Sequence, residues 1–563
     1  MMRERCDDGD GRSAQNCALE DPISSACVNH RPYLAASPAL HWRYWRCSKS
    51  AHDDDEMTSA LLLLSTLFPC HAPALTPTPM PPPLLQHDAS TLSTLLERRE
   101  VSAVKLMEET LQRIDDINPM VNAIVSLRNR QDLLTAAKEA DAELDEGRRK
   151  GWLHGIPIAI KDLSDTAGIL STKGGSPMHS DRIPDADDLF VSRLKEAGAI
   201  VIGKTNAPEL GLGSHTFNRQ FGATYNPYDQ SRTAGGSSGG AAVATSTRML
   251  CIADGSDMMG SLRNPAGWNN IYSLRPTAGM IDENPATTNS AAVLPYPIST
   301  CGPMARTPRD LSLLLDILAG DRYQHEAAIF DDIQTSKKNL SKYRIGWLRD
   351  WSGAYPMEEG ICQQCEEALS VLRQCGAEIV NIEPAPYPAD QLWKSWTTIR
   401  SKVIADNMIE EFGRKFFEER DTPLPFKKDL EWEVSRGTAF SVDQIEEAAN
   451  IASDWSHRVA ELFEEYDALA LPSAQMWPFP ADIDWPKAID GTKMDTYHRW
   501  MEVVVPATLA GLPVATVPAG FGSDGLSIGL QLICGREKDS LALELCAGYH
   551  SQIDWSNKRP PDI

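Results

Sequence analysis

A stretch rich in glycine and serine, residues 233–267, constrains the folding of this 563-residue chain more than any other feature. It contains the run Gly-Gly-Ser-Ser-Gly-Gly at 235–240 and, 24 residues after Ser237, a second serine preceded by glycine, Ser261. Glycine allows the backbone to approach a reacting atom closely and to adopt torsions that other residues avoid. Backbone N–H groups beside a serine provide what acyl transfer needs, a nucleophile and donors for an oxyanion. The two serines are therefore candidates for an acyl-transfer site.

A candidate base lies upstream, at the end of the aliphatic segment Gly-Ile-Pro-Ile-Ala-Ile-Lys at 155–161. This pattern predicts a buried strand that ends with Lys161. An ordinary lysine has a pKa of about 10.4 and is charged at neutral pH, so it cannot accept a proton. Burial among hydroxyls rather than carboxylates would lower that pKa toward the working range of a general base. Taken alone, Lys161 is better explained as a solvated strand-end lysine, Ser237 as a turn residue and Ser261 as a helix cap.

The ordered combination of these segments overturns those separate explanations. Lys161, the run at 235–240 and Asp257-Met-Met-Gly-Ser-Leu-Arg263 resemble the three signatures of the amidase signature family. The resemblance implies a Ser–Ser–Lys triad that hydrolyses an amide, with Ser261 as nucleophile, Ser237 as relay after a cis peptide bond, and Lys161 as base. Further similar segments follow in order within roughly residues 90–555, at 203–211, 274–279 and 510–520.

The resemblance also implies that an oxyanion hole is formed by the backbone N–H groups of Met258, Met259 and Gly260, beside that of Ser261. The family usually has a small or β-branched residue and then two glycines before the nucleophile, whereas this chain has two methionines and one glycine. Because the main chain supplies the donors, we interpret this as a subfamily variant that places a long side chain near the acyl pocket. The supporting residues are Asp257 and Arg263, predicted to form a structural ion pair, and Ser238.

Two further motifs match known patterns without their structural context. Residues 236–240 fit GxSxG, which would make Ser238 the nucleophile of a Ser-His-Asp hydrolase, but the preceding residues 226–232 are polar and turn-like where that fold needs a strand. Residues 198–205 fit the phosphate-loop pattern, but the residues between its glycines are aliphatic and Pro208 disfavours the helix that should follow. Neither pattern is favoured.

Three functions besides simple amide hydrolysis stay open from the sequence. The first is an amidotransferase-type subunit that releases ammonia from glutamine and works with partner chains. The second is the Ser238 hydrolase, and the third is a catalytically silent, binding-only family member, suggested by Met259. No cofactor is expected for any Ser–Ser–Lys mechanism, and no metal is expected because ligands at useful spacing, such as HExxH, do not occur in the sequence.

Helical patterns alternate with short aliphatic strands, which predicts an α/β fold with a large mixed β-sheet covered by helices on both faces. Residues 1–88 contain many prolines and show no sustained hydrophobic periodicity, so we expect a disordered tail or linker there. Residues 89–556 are the predicted amidase domain, and 322–470 within it are a variable helical region expected to cover the site. Four tryptophans in or beside that region suggest an apolar or aryl acyl pocket: Trp393, Trp396, Trp455 and Trp477.

Some element limits can also be predicted. The pair Asn118-Pro119 predicts the end of the first long helix, because proline disfavours helical torsions in the residue before it. The other predicted elements are helices at 128–149, 188–197, 391–411 and 442–466, and strands at 199–202, 249–253 and 527–534.

Composition limits the partners. The formal net charge of -24 argues against nucleic acid, which requires clustered Lys and Arg, and we expect a small-molecule amide as the partner, with a homodimer left open. No apolar run approaches 18 residues, so no membrane span is expected. The apolar run at 59–68 would permit secretion only if translation began at Met57; from Met1 we expect the cytoplasm.

Overall fold

Helices and strands alternate along the part of the chain that the computed structural model describes, residues 83–281, 293–331, 339–419 and 423–563. Residues 1–82 of the predicted tail lie outside the described residues. The helices are α1 (Ala89–Glu97), α2 (Ala103–Val121), α3 (Arg130–Asp145), α4 (Leu189–Glu196), α5 (Gly239–Ser246), α6 (Arg263–Trp268), α7 (Pro308–Ala319), α8 (Ala327–Asp331), α9 (Ile361–Gln374), α10 (Ala389–Phe412), α11 (Arg414–Glu418), α12 (Lys428–Ala439), α13 (Val442–Glu465), α14 (Val505–Leu509), α15 (Asp539–Gln552) and α16 (Trp555–Lys558). The strands are β1 (Ile124–Val125), β2 (Pro157–Lys161), β3 (Ile200–Thr205), β4 (Phe217–Asn218), β5 (Gly222–Ala223), β6 (Ile252–Asp257), β7 (Tyr272–Arg275), β8 (Thr300–Ala305), β9 (Arg344–Trp347), β10 (Glu378–Asn381), β11 (Ala468–Pro472), β12 (Ala488–Ile489), β13 (Thr492–Lys493), β14 (Val514–Phe521) and β15 (Ser527–Cys534).

The central sheet has eight strands in the order β10-β9-β11-β15-β14-β7-β8-β6. The first three strands pair in parallel and the remaining neighbours pair antiparallel, so the sheet is mixed. Helices flank it, among them α6, α9 and α15, which all contact β14 and β15. The predicted α/β fold with a helix-covered mixed sheet is confirmed.

The middle strands of this sheet are buried along nearly their whole length. Every residue of β15 is buried, as the predicted core strand at 527–534 requires, and its limits agree with that prediction. At Gly529 the backbone meets Gly267 of α6, where a Cβ atom on Gly267 would lie 2.6 Å from the Gly529 nitrogen. Glycine at both positions therefore lets the helix that follows the nucleophile loop pack directly on the sheet.

A second, three-stranded sheet has the order β1-β3-β2 and carries Lys161 at the end of β2. Strand β3 pairs with β2 in parallel and is buried throughout, so the phosphate-loop match at 198–205 is a core strand rather than an exposed loop. The backbone N–H of Lys161 donates to Asp254 Oδ1 on β6 at 3.0 Å. This side-chain contact joins the small sheet to the edge of the large one.

The region at 322–470 is mostly helical but also supplies β9, β10 and part of β11 to the central sheet. Helix α10 packs against α12 and α13. A separate small apolar cluster forms where α10 and α12 meet the loop at 210–212, and its buried members are Leu212, Ile404, Ala405, Phe426, Leu430 and Val434.

Three predicted element limits are wrong. Helix α2 continues through Pro119 to Val121 and ends at Asn122, which has φ 51° in the left-handed region. The Asn118 side chain then accepts the next free N–H groups, from Ala123 and Ile124, both at 2.8 Å. The helix predicted at 128–149 ends at Asp145, before the basic residues, and the strand predicted at 249–253 is displaced to Ile252–Asp257.

Candidate active site

Lys161 is held at the end of a buried strand, and only 1% of it is exposed. Its Nζ lies 2.8 Å from Ser237 Oγ, 2.8 Å from Ser238 Oγ and 3.0 Å from Ser256 Oγ. The amine therefore sits among hydroxyl groups, the environment that a lysine base requires. Ser237 and Ser256 of this set also line a cavity that contains Ser261, so their hydroxyls connect the amine to the space where a substrate can bind.

The two serine loops meet directly. The peptide bond between Gly236 and Ser237 is cis, as the resemblance implies. The Ser238 N–H donates to the carbonyl oxygen of Ser261 at 3.2 Å, and Ser237 and Ser261 line the same cavity. The fold thus brings together the three residues predicted as a triad.

Ser238 contacts Lys161 but does not line the substrate space. It is fully buried, it does not line the cavity, and its hydroxyl accepts from Lys161 Nζ and from the Ser256 N–H at 3.3 Å. A nucleophile needs access to a substrate carbonyl. The geometry therefore supports Ser238 as a supporting residue and disfavours it as the nucleophile of a Ser-His-Asp hydrolase.

The predicted pair of Asp257 and Arg263 exists and is completely buried, with 2.9 Å between Asp257 Oδ1 and Arg263 Nη2. The same carboxylate accepts from the backbone N–H groups of Gly260 at 2.7 Å and Leu262 at 3.1 Å. Burial alone would raise the pKa of Asp257, but the charges of Arg263 and Arg275 outweigh it and hold that pKa far below its usual range. Asp257 is therefore an ionised anchor inside the nucleophile loop.

The hydrogen bond to Asp257 changes the role predicted for Gly260. The resemblance implies that Gly260 donates to an oxyanion, but its N–H is directed to Asp257 instead. The N–H groups of Met258, Met259 and Ser261 have no hydrogen-bond acceptor within the described residues. Gly260 is needed for shape, because its φ is 81° and a Cβ atom there would lie 2.8 Å from Met501 Cε.

The two unusual methionines are each held by a residue of α10. Met258 Sδ accepts from Arg400 Nη1 at 3.1 Å, and Met259 Sδ accepts from Trp396 Nε1 at 3.1 Å. Met258 lines the cavity, as its length predicts, whereas Met259 is buried in the core. The long side chains therefore connect the loop before the nucleophile to the variable helical region.

The cavity that contains Ser237 and Ser261 has a volume of about 560 Å³. At one side, Asp165 accepts from Lys173 Nζ and Arg182 Nη1, each at 2.6 Å. Burial opposes ionisation of Asp165, but these two cations lower its pKa to about 2. Much of the remaining wall is apolar, formed by Phe190, Leu210, Leu212, Ile404, Met408 and Leu430.

The tryptophans suggested for the acyl pocket do not line this cavity, so that hypothesis is wrong. They pack elsewhere, and two of them show how the indole N–H groups are satisfied within the protein. Trp455 Nε1 donates to the carbonyl oxygen of Pro506 at 2.8 Å, and Trp477 Nε1 donates to that of Glu359 at 3.1 Å. The apolar surface of the cavity comes mostly from aliphatic side chains instead.

Sequence reasoning missed three groups around the base and the loop. Asp254 and Ser256 alternate with other residues on β6, so their side chains fall on the face toward Lys161. Burial raises the pKa of Asp254 to about 6. Their alternation in sequence was the available signal, whereas nothing local pointed to Arg400, which is 139 residues after Ser261.

Comparison with known proteins identifies the family of this chain. The family model described as Amidase matches residues 105–543. The chain belongs to the amidase signature family. An acylamidase from Rhodococcus erythropolis is 30% identical over 481 residues, which cover 84% of this chain and 97% of the relative. A glutamyl-tRNA(Gln) amidotransferase chain from Coxiella burnetii is 30% identical over 499 residues, covering 84% of this chain and 99% of its own.

Solved structures of this amidase signature family have the same architecture. A bacterial aryl acylamidase superposes with a TM-score of 0.75 at 25% identity and covers 84% of this chain and 98% of its own. The 6-aminohexanoate cyclic dimer hydrolase, at 24% identity and a TM-score of 0.72, covers 85% of this chain and 99% of its own and supports the fold alone. The family and the acylamidase relatives confirm the prediction of an amide-hydrolysing enzyme.

Among the described residues, no group of three or more His, Cys, Asp or Glu side chains is arranged to hold a metal ion. Within the same part of the chain, no helix is both long and apolar enough to cross a membrane.

Proposed function

We propose that this amidase signature protein hydrolyses a neutral carboxylic amide through an acyl-enzyme on Ser261. The observation that carries the proposal is the 2.8 Å contact between Lys161 Nζ and Ser237 Oγ, at the wall of the cavity that also contains Ser261. Uncharged Lys161 takes a proton from Ser237 as Ser237 takes the proton of Ser261, whose oxygen attacks the amide carbon. The carbonyl becomes a tetrahedral oxyanion.

Collapse of that intermediate breaks the C–N bond. The proton on Lys161 returns through Ser237 to the leaving nitrogen, so the amine departs neutral and the acyl group stays on Ser261. Water then attacks the ester carbon, gives its proton to the same relay, and releases the carboxylic acid with the free serine. Protons and electrons balance over these steps, so the reaction requires no cofactor.

The oxyanion donors proposed for this chain are the N–H groups of Met258, Met259 and Ser261. Their lack of another acceptor in the described part of the chain supports this choice over Gly260. Each such donor is typically worth about 3–4 kcal/mol of transition-state stabilisation. Asp257 contributes indirectly, because it fixes the loop from which these groups project.

The cavity supports a small molecule with apolar parts as the substrate. Its volume of about 560 Å³ falls in the range of pockets that enclose small ligands. The net charge of -24 does not favour anionic substrates, which agrees with an uncharged amide.

A fluorophosphonate probe tests the triad directly. It should label the wild-type enzyme on Ser261 and fail to label Ser261→Ala, while Lys161→Ala should label roughly a hundredfold more slowly at an unchanged melting temperature. Labelling at another residue, or full activity of folded Ser261→Ala, would contradict the proposed mechanism. Absence of label in folded wild-type protein would instead support the binding-only alternative.

Release of ammonia from glutamine is the second candidate function. It is favoured by the 30% identity to a glutamyl-tRNA(Gln) amidotransferase chain over nearly its full length. Such a role predicts that free glutamine is hydrolysed faster than simple anilides and that other protein chains copurify with this one. Turnover of anilides without partner chains, and none of glutamine, would favour the amidase instead.

A further inference from the structure

One face of α10 forms a wall of the reaction cavity and carries polar groups that the proposed mechanism does not use. Residues of this helix line the cavity at spacings of three and four, which places them on one side of the helix. They are Arg400, Ile404, Asn407, Met408, Glu410 and Glu411.

Arg400 has N–H donors that are not used within the described residues, although only 4% of the residue is exposed. Its Nε donates to Glu433 Oε1 at 2.8 Å, and its Nη2 donates to the Tyr497 hydroxyl at 2.6 Å. Nη1 donates to Met258 Sδ. A guanidinium has five N–H groups, so one on each terminal nitrogen has no acceptor among the described residues. Buried donors are normally satisfied, and a ligand in the cavity can satisfy these.

The charge of Arg400 is already neutralised. Its partner Glu433 is completely buried and also accepts from Tyr497 at 2.7 Å, so the ion pair forms a closed unit. An anionic ligand would add an unpaired negative charge to this buried site and would meet Glu410 and Glu411 in the same cavity. The free N–H groups therefore suit a neutral oxygen, such as a ketone or ether.

Asn407 supplies a hydrogen-bond acceptor, which complements the N–H donors of Arg400. Its Oδ1 is buried and has no hydrogen-bond partner among the described residues, although the residue lines the cavity. An amide oxygen accepts only, so the matching ligand group is an N–H or O–H. Arg400 and Asn407 are seven residues apart, which corresponds to about 10 Å along the helix axis. Ile404 lies between them and faces the apolar cavity wall.

We propose that α10 binds a neutral, elongated amide substrate at two points. An oxygen near the scissile amide accepts from Arg400, and an N–H or O–H roughly 10 Å along an apolar chain donates to Asn407. Arg400 marks the end near the reacting group because it contacts Met258 of the nucleophile loop. This inference rests on the proposed function, which places the reacting amide at Ser261.

Binding to the full-length Ser261→Ala protein tests the inference without turnover. The probes are decanoic anilide, its 10-hydroxy and 3-oxo derivatives, and the mono-anilide of decanedioic acid, each titrated by calorimetry. In an extended chain the 10-hydroxyl lies roughly 10 Å beyond the 3-oxo group, which matches the helix spacing. The 10-hydroxyl and the 3-oxo group should each tighten binding about tenfold, since each adds one hydrogen bond to a buried partner. The decanedioic mono-anilide should bind roughly tenfold or more weakly than the 10-hydroxy probe, because its carboxylate meets an acceptor.

Added variants show which residue is responsible. Asn407→Leu should reduce the 10-hydroxy preference to about one, and the matched change Asp406→Asn, on a neighbouring residue that does not line the cavity, should preserve it. Arg400→Gln alone would leave Glu433 as a buried charge without its ion-pair partner. The paired change Arg400→Gln with Glu433→Gln avoids this and should remove the preference for the 3-oxo probe. Equal binding of the decanoic and 10-hydroxy probes, or a preference unchanged in folded Asn407→Leu, would overturn the inference. Hydrolysis by Ser261→Ala would instead overturn the proposed function.

Discussion

The indole N–H of Trp396 donates a hydrogen bond to the sulfur of Met259, with 3.1 Å between Nε1 and Sδ. The contact joins a helix of the variable region to the residue two positions before the nucleophile. Trp396 and Met259 are both buried, so neither group can exchange its partner for water. Met259, one of the two methionines that depart from the usual family pattern, is thereby a point of attachment for the proposed oxyanion donors.

Met259→Leu should lower kcat by about tenfold while leaving KM nearly unchanged. The change conserves volume but leaves the Trp396 N–H without an acceptor, and an oxyanion donor acts only in the transition state. Trp396→Phe should have a similar effect, and the double variant should lose less than the product of the two. Steady-state kinetics on an anilide provide the measurement. Met249→Leu, at a buried methionine outside the cavity, is the matched control.

Activity should rise with pH through the neutral and alkaline range. The base form of Lys161 is the uncharged amine, so its population grows as pH increases. Profiles of kcat/KM between about pH 5 and 10 on a neutral anilide check this, with enzyme stability verified at each pH. A flat profile over that range would be inconsistent with a lysine base.

Asp257→Asn should destabilise the protein by about 3–5 kcal/mol at neutral pH, because it leaves Arg263 without its closest buried counter-charge. The pKa of Asp257 is depressed in the folded state, so its contribution is complete above the ordinary carboxyl pKa of about 4 and is lost as pH falls toward the folded value. Urea unfolding at pH 7 and at about pH 3 measures both effects. Equal stability loss at the two pH values would contradict the linkage.

The contribution of Asp254 to stability should depend on pH in the opposite sense to that of Asp257. Its pKa is raised to about 6 by burial, so the folded state retains a proton that the unfolded state loses above about pH 4. Stability therefore falls as pH rises from about 4 to 6, by up to about 3 kcal/mol. Asp254→Asn keeps an acceptor for the Lys161 N–H and should remove this fall. Unfolding curves of both proteins at about pH 4 and pH 7 provide the comparison, and parallel behaviour would refute the prediction.

The sequence by itself determined the family, the α/β class and the residues proposed to react. Lys161, Ser237 and Ser261 could be identified because the segments that contain them resemble, in order, the three signatures of the family, although each residue taken alone has a plainer explanation. The Asp257–Arg263 pair was also predictable, since the partners lie six residues apart at the two ends of one loop.

Only the tertiary structure decided how the loop is held and what surrounds the substrate. Periodicity and motif spacing carry no information on which distant helix face meets a given residue, so the bonds from Trp396 and Arg400 to the methionines could not be predicted. The same limit explains the error about tryptophans, whose burial depends on the neighbours that folding provides. It also explains Gly260, because the direction of one N–H is set by the torsions and the carboxylate around it.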